Sequence, residues 1–121
     1  MDIEFEFYLE IGTWNLEIKN MNTQFSYKQI NDQGKKFLEE YLEKKISRLE
    51  TLIHAEELAN SRLEIRAEKF VKNEAYKIEM FLITPTKTFQ AEEDDHTIME
   101  AFDLALDKLV LQIRRDHEKN N

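Results

Sequence analysis

Three histidines, a run of four acids and two groups of basic residues are the side chains in this sequence that could do chemistry. His54, His96 and His117 lie far apart, none belongs to an HExxH motif, and the chain has no cysteine. The acids at positions 92–95 offer oxygen ligands for a divalent cation, but solvation of a strand end and capping of the next helix account for them. We therefore expect no metal site and no cofactor.

Carboxylates are abundant in this sequence, but none stands in an arrangement typical of catalysis. No nucleophile-and-base pair and no glycine-rich phosphate loop accompanies them, and the chain has only two glycines. Charges on the predicted strands, such as those of Arg62, Glu64, Arg66 and Glu68, are typical of a solvated sheet face with cross-strand ion pairs. We therefore predict that the protein is not an enzyme.

The basic residues could bind a polyanion, although the net charge argues against it. The formal net charge is −8, and nucleic-acid binding depends on lysines and arginines that neutralise phosphates. Half of the negative excess lies in residues 1–20, which carry five acids and one lysine. The rest of the chain can still present a focused basic surface if the fold brings its cations together.

The segment from Thr97 to Lys119 is predicted to be the helix that positions most of these cations. Thr97 and Glu100 form a capping box, and the acids at 92–95 lie where the helix dipole favours negative charge. Its last turns are basic, as the dipole also favours. Apolar residues recur at the i, i+3 and i+4 spacing of an amphipathic helix: Ile98, Ala101, Phe102, Ala105, Leu106, Leu109 and Ile113.

A second helix is predicted from about Asp32 to His54, with Asn31 or Asp32 as its N-cap. It is acidic early and basic late, and residues 54–61 are expected to form a loop after it. Its apolar stripe comprises Leu38, Tyr41, Leu42, Ile46, Leu49, Leu52 and Ile53.

Four alternating segments predict strands over residues 23–29, 62–70, 74–84 and 86–92. Lys72-Asn73 and Pro85-Thr86 are typical turn dipeptides between the last three. Residues 21–121 thus form one β-α-β-β-β-α domain of the α+β class, a two-layer sandwich. A helix between the first two strands makes them parallel, with a right-handed crossover, and short turns make the next two pairs antiparallel.

Two parallel helices then cover one face of a mixed four-stranded sheet, and their C-terminal ends share one end of it. This arrangement would gather Lys44, Lys45, Arg48, Lys108, Arg114, Arg115 and Lys119. Cations late in helices are also what the helix dipole alone favours.

Residues 1–20 precede this domain as an extension. Ile3, Phe5, Phe7 and Leu9 alternate with polar residues, as do positions 14–18 after Gly12. The pattern predicts a β-hairpin; alternatively the segment is an appendage and Met21 opens the domain. It lacks the pattern of a secretory signal, and no apolar run is long enough to span a membrane, so we expect a cytoplasmic protein.

Four blocks of this chain resemble, in order and spacing, those of the short ribosome hibernation factors: EEYLEKKISRLE, LEIRAEK, TPTKTFQAEEDD and TIMEAFDLALDKLVLQIRRDHEK. This family is also called the ribosome-associated inhibitor or ribosomal subunit interface proteins, and once the sigma-54 modulation proteins. The resemblance covers Met21 to Lys119. It implies a domain that binds the small ribosomal subunit in the mRNA and tRNA channel and silences translation under stress.

The resemblance also implies partners and contact residues. The partner would be the 16S rRNA of the small subunit, with no DNA and no membrane, and the protein would be a monomer because the long family forms' dimerisation domain has no counterpart here. The residues at matching positions, expected to neutralise phosphates rather than to read bases, are Lys28, Lys44, Lys45, Arg48, Lys69, Lys108, Arg114, Arg115 and Lys119.

The chain departs from the family pattern at several positions. Val110 and Leu111 stand where Glu-Arg is usual, Thr51 replaces a basic residue, and residues 1–20 have no recognised counterpart. These differences remove positive charge. They leave a second hypothesis open, a protein-interaction module in which the acidic N-terminal segment and a Val110/Leu111 patch bind a protein partner.

Overall fold

Eight elements follow one another along residues 21–119, the part of the chain that the computed structural model describes. The alternating and helical patterns place all four strands and the last helix within a few residues of their predicted positions, and they place the start of the first main helix correctly. The elements are β1 (Asn22–Lys28), α1 (Asp32–Lys45), α2 (Ser47–Glu50), α3 (Ala55–Leu58), β2 (Arg62–Phe70), β3 (Ala75–Ile83), β4 (Thr88–Asp95) and α4 (Ile98–Lys119).

The four strands form one sheet in the order β1-β2-β3-β4. The β1 strand pairs with β2 in parallel, whereas β2 with β3 and β3 with β4 are antiparallel. The strand β4 therefore runs in the same direction as β1, as the element order predicts. The predicted fold class, a mixed four-stranded sheet with helices packed on one face, is confirmed.

The core lies between this sheet and the helices. The apolar stripe of α4 supplies several of the largest side chains of the core, and Phe102, Leu106 and Leu109 have no exposed surface. From the sheet, Ile78 and Met80 are equally buried. The opposite sheet face is polar, with the Arg66 guanidinium 4.7 Å from the Phe81 ring centre. One face of each long helix and strand is thus buried in the core, and side chains that bind a partner must lie on the exposed faces.

Both main helices begin at side-chain caps. The Asn31 side chain accepts a hydrogen bond from Gly34 N at 2.8 Å, and a Cβ on Gly34 would lie 2.8 Å from Ile30, so glycine suits this position. At α4, Glu100 N donates to Thr97 Oγ1 at 3.1 Å, and the Thr97 hydroxyl donates to Glu100 Oε1 at 3.0 Å. One half of the predicted capping box therefore forms, while the Glu100 carboxylate binds the hydroxyl instead of the backbone.

The predicted single helix from Asp32 to His54 is wrong in its second half. Helix α1 ends at Lys45, and the N–H groups of both Leu49 and Glu50 then bond to the Ile46 carbonyl at 3.0 Å. The chain turns there and keeps Leu49 buried. The predicted loop over residues 54–61 contains the short helix α3. The apolar stripe continues through the break at Ile46. Its spacing depends on which side chains are buried and does not show whether the helical hydrogen bonds are continuous.

Strand β4 extends to Asp95 instead of ending at Glu92. The acids at 92–95 therefore belong to the sheet and do not form the first turn of α4. Two lysines hold them there: Lys77 lies 3.5 Å from Glu92, and Lys108 lies 2.8 Å from Glu93. Opposite charges thus allow an acidic run to pair as a strand.

Within residues 21–119 no helix combines the length and apolar character that crossing a membrane requires. The predicted N-terminal hairpin lies outside the described residues.

Candidate nucleic-acid interface

Three contacts show that α1 and its continuation run parallel to α4. The Tyr41 hydroxyl donates to Asp103 at 2.8 Å, Arg48 pairs with Asp107 at 2.9 Å, and the His54 and His117 rings lie 6.4 Å apart. These contacts advance together along both segments. The C-terminal ends of the two helical segments consequently lie at the same end of the sheet.

The first of these contacts also perturbs a titratable group. Burial raises the pKa of the Tyr41 hydroxyl, and its hydrogen bond to the Asp103 carboxylate and the charge of that carboxylate raise it further. The hydroxyl therefore stays protonated and keeps donating to Asp103. This hydrogen bond holds the two helices in register beside the cations described next.

Six of the predicted contact residues lie together on the C-terminal halves of the helices, and we call them the helix-end surface. Arg48 is level with Asp107, and Lys119 follows twelve residues later, so the surface extends over about 18 Å of α4. The side chains of Arg48, Arg114 and Arg115 are exposed. The six residues are Lys44, Lys45, Arg48, Arg114, Arg115 and Lys119.

Most cations of the helix-end surface remain available to an anion. Within residues 21–119 no carboxylate lies within ion-pair distance of Lys44, Arg114 or Arg115. Lys45 lies 5.3 Å from the Tyr41 ring centre. Arg48 pairs with Asp107, but both side chains are exposed, and such surface pairs contribute little stability. A phosphate can therefore replace that partner at small cost.

Lys108, the seventh predicted cation of the helices, is engaged by strand β4 instead. Its ammonium contacts the Glu93 carboxylate at 2.8 Å and the Glu92 carbonyl at 3.2 Å. One turn later, Gln112 accepts a hydrogen bond from Gln90 N at 3.3 Å and donates to Gln90 O. We call these contacts, together with the Lys87–Asp116 ion pair, the α4–β4 seam.

The seam has a clear structural role. It supplies partners to the backbone of β4, an edge strand whose outer N–H and C=O groups would otherwise be open to pairing with another chain. Lys108 is therefore already engaged within the fold.

The remaining two predicted residues, Lys28 and Lys69, lie at the opposite end of the sheet. Lys28 ends β1 and lies 3.6 Å from Glu68. Lys69 lies near the end of β2, with its ammonium 5.7 Å from the Tyr76 ring centre. The fold therefore does not bring these two lysines to the helix-end surface.

The structure separates the two apolar residues that the second hypothesis needs. Val110 is buried in the core, whereas Leu111 is 46% exposed. Their proposed joint patch is therefore reduced to one side chain.

Sequence reasoning missed a cavity beside the helix-end surface. It measures about 420 Å³ and lies between the segment at Leu52–His54, the β3–β4 turn and the last turns of α4. Three segments that are distant in sequence form its walls, so no local sequence pattern predicts the cavity. Among the described residues, no cluster of three or more histidines and acids is arranged to hold a metal ion.

A family model described as "Sigma 54 modulation protein / S30EA ribosomal protein" matches residues 24–121. No curated protein sequence gives a match.

Solved structures share the fold, among them the two that follow. The N-terminal domain of Protein Y from Thermus thermophilus has 21% identity and a TM-score of 0.61, with 79% of this chain and 97% of that chain covered. A ribosomal subunit interface protein from Coxiella burnetii has 19% identity and a TM-score of 0.64, with 81% and 99% covered.

Proposed function

The chain belongs to the sigma 54 modulation protein / S30EA ribosomal protein family, and from this premise we propose that it is a ribosome hibernation factor. It binds the 16S rRNA of the small ribosomal subunit through the helix-end surface and occupies the channel used by mRNA and tRNA. The observation that carries this proposal is the group of exposed cations on two parallel helices, of which Arg114 and Arg115 have no ion-pair partner within residues 21–119.

Electrostatics explains how an acidic protein can do this. Attraction to RNA depends on the local arrangement of cations, because charges further away than about 8–10 Å are largely screened at physiological salt. On the helix-end surface the cations follow the C-terminal halves of the helices, where the helix dipoles add negative potential that each cation offsets. Phosphates that approach this surface can contact Arg114 and Arg115, which have no ion-pair partner within residues 21–119.

The proposed inhibition requires no chemistry. A folded domain in the channel excludes mRNA and tRNA by occupying their volume, and contacts to the RNA backbone fix its position without reading sequence. Release is equally simple, because backbone contacts weaken as salt rises or as competing RNA arrives. We accordingly place the protein in the cytoplasm, where ribosomes are, and expect it to act as a monomer.

Co-sedimentation with purified small subunits tests the proposal. If about six phosphates are contacted, affinity falls roughly a thousandfold between 50 and 200 mM salt. The double charge reversal Arg114→Glu/Arg115→Glu is expected to abolish co-sedimentation at 100 mM salt. The matched control Lys36→Glu/Lys72→Glu changes the net charge equally at exposed positions near the other end of the sheet and should keep binding.

Two outcomes would overturn the proposal. One is the absence of wild-type co-sedimentation even at 50 mM salt. The other is an equal loss of binding in both double variants, because the helix-end surface would then have no special part.

A further inference from the structure

The cavity beside the helix-end surface has an apolar floor and a polar mouth. Leu82 and Ile113 on its floor are buried, and Phe89 is half-buried. Its volume of about 420 Å³ lies within the roughly 300–1,000 Å³ typical of small-ligand sites. A small planar ligand can therefore bury part of its surface here while its polar edge remains at the mouth.

Two imidazole rings stand at that mouth. The ring centres of His54 and His117 are 6.4 Å apart, with 31° between their planes, and both residues are exposed. Within residues 21–119 neither imidazole makes a hydrogen bond. Stacked bases are roughly 3.4 Å apart, so the spacing of the two rings is close to the two stacking distances that an inserted base needs. Histidine is among the side chains on which unstacked RNA bases are stacked.

The groups around the cavity match the two parts of a nucleotide. Glu57 lines the cavity, and its carboxylate can accept a hydrogen bond from the exocyclic amine of a base. Arg114 lies on α4 between two cavity-lining residues, Ile113 and His117, and is exposed. A base inside the cavity would thus leave its phosphate near the guanidinium groups of the helix-end surface.

We propose that this cavity binds the base of one unpaired nucleotide, stacked against His54 and His117, with its phosphate on Arg114 or Arg115. The inference rests on the proposed function and adds one base contact to an interface otherwise made of phosphate contacts. The same chemistry fits a nucleotide of the 16S rRNA or a free nucleoside monophosphate, and the experiment below separates these two sources.

Nuclear magnetic resonance on the free protein tests the cavity without the ribosome. AMP, CMP, GMP and UMP are titrated separately, with inorganic phosphate as the control for anion binding. At least one nucleotide is expected to shift the His54 and His117 ring signals in a saturable manner, with a Kd on the order of millimolar, the weak end of binding affinities. In the His54→Ala/His117→Ala variant, whose substituted side chains are exposed, the shift of the Thr86 amide should vanish. His96→Ala, at the other end of the sheet, should leave all shifts unchanged.

The proposal is overturned if no nucleotide shifts these signals at tens of millimolar, a concentration well above the expected Kd. It is equally overturned if inorganic phosphate alone produces the same shifts, because the cavity would then take no base.

Base-modifying reagents on saturated small-subunit complexes identify the source of the nucleotide. Wild-type protein is expected to protect the base of one nucleotide of 16S rRNA, and His54→Ala/His117→Ala should lose that protection and roughly tenfold in affinity, the range of a lost stacking contact. If the rRNA shows no such protection while the free nucleotides bind, the ligand is a free nucleotide. Failure of the wild-type protein to co-sediment would count against the proposed function. The titration with free nucleotides tests base binding in the cavity independently of that result.

Discussion

Helix α4 supplies cations to both the helix-end surface and the α4–β4 seam, and the two regions use them differently. In the seam, Lys108 has carboxylate and carbonyl partners, and Gln112 pairs with the backbone of β4. On the helix-end surface, Arg114 and Arg115 have no ion-pair partner within residues 21–119. For Arg114 the difference follows from helical spacing: positions 108, 112 and 116 recur every four residues and face β4, whereas Arg114 is two residues, about 200°, from positions 112 and 116. Availability for RNA thus depends on which cations reach the acids and backbone of β4 and not only on closeness to the C-terminus of α4.

The largest expected effect is on small-subunit affinity, and it should differ between a variant of the helix-end surface and a variant of the seam. The double variant Arg114→Ala/Arg115→Ala should weaken binding to small subunits roughly fiftyfold at 100 mM salt, because each phosphate contact contributes about 0.9 log units there. The single variant Lys108→Ala should weaken binding less than about threefold, well below one such contact. Affinities from filter binding over a salt series measure both. A loss in Lys108→Ala as large as that in the double variant would remove the distinction between the two regions.

A substitution in the seam should lower the stability of the protein and leave its affinity for small subunits unchanged. Gln112→Ala leaves Gln90 N and O without their side-chain partners, and each net hydrogen bond contributes about 0.5–1.5 kcal/mol. We therefore expect the free energy of unfolding in urea to fall by about 1–2 kcal/mol, with small-subunit affinity unchanged. Leu111→Ala, at the neighbouring exposed position, is the control and should change neither quantity. Unchanged stability in Gln112→Ala would show that the seam does not hold β4.

The link between the helices gives a smaller change in stability. Tyr41→Phe removes the donor to Asp103 and should lower the free energy of unfolding by about 1 kcal/mol at neutral pH. Because the folded-state pKa of Tyr41 is raised, its contribution is complete below the unfolded value near pH 10 and is lost as pH rises through the folded value. The gap between wild type and variant in urea melts should therefore narrow at strongly alkaline pH. A gap that widens there would contradict the assigned donor role.

The smallest effect is expected at Glu50, which ends α2 beside Met21. Burial raises the pKa of this carboxyl, a backbone hydrogen bond from Met21 offsets part of the rise, and Oε2 has no partner among residues 21–119. A raised carboxyl pKa means that ionisation disfavours the folded state, so the penalty is absent below about pH 4.3 and grows as pH rises above it.

Glu50→Gln should therefore be more stable than wild type at pH 7, by at most about 1 kcal/mol, and equal to it near pH 4. Thermal melts at the two pH values check this prediction. A stabilisation that is the same at both pH values would show that the charge of Glu50 is not its cause.

The sequence predicts most of the fold because one face of each long element is buried. The stripe through Phe102 and Leu106 and the alternation through Ile78 and Met80 record that burial directly. The break at Ile46 escapes prediction, since the apolar stripe continues through Leu49. The extension of β4 to Asp95 also escapes prediction from the sequence, but for another reason. Its acids resemble a cap, and only Lys77 and Lys108, distant in sequence, stabilise them as a strand.

The candidate site is predicted less completely. Parallel helices bring Arg48 and Arg114 to the same end, as the element order implies. Which cations are already paired depends on contacts between distant segments, such as Lys108 with Glu93, and no local pattern encodes them. Lys28 and Lys69 lie elsewhere for a topological reason: they are near the C-terminal ends of the parallel strands β1 and β2, and the helix that follows β1 returns to the other end of the sheet.

The central claim is that the helix-end surface faces ribosomal RNA, and directed hydroxyl-radical probing tests it most directly. The chain has no cysteine, so Glu118→Cys and Lys72→Cys each provide a single attachment point for an iron chelate at an exposed position. Glu118 lies on the last turn of α4 beside Arg114 and Arg115, whereas Lys72 lies in the β2–β3 turn at the opposite end. On bound small subunits, we expect the probe at position 118 to cleave 16S rRNA strongly and the probe at position 72 to cleave it weakly. Strong cleavage from position 72 with none from position 118 would contradict the claim.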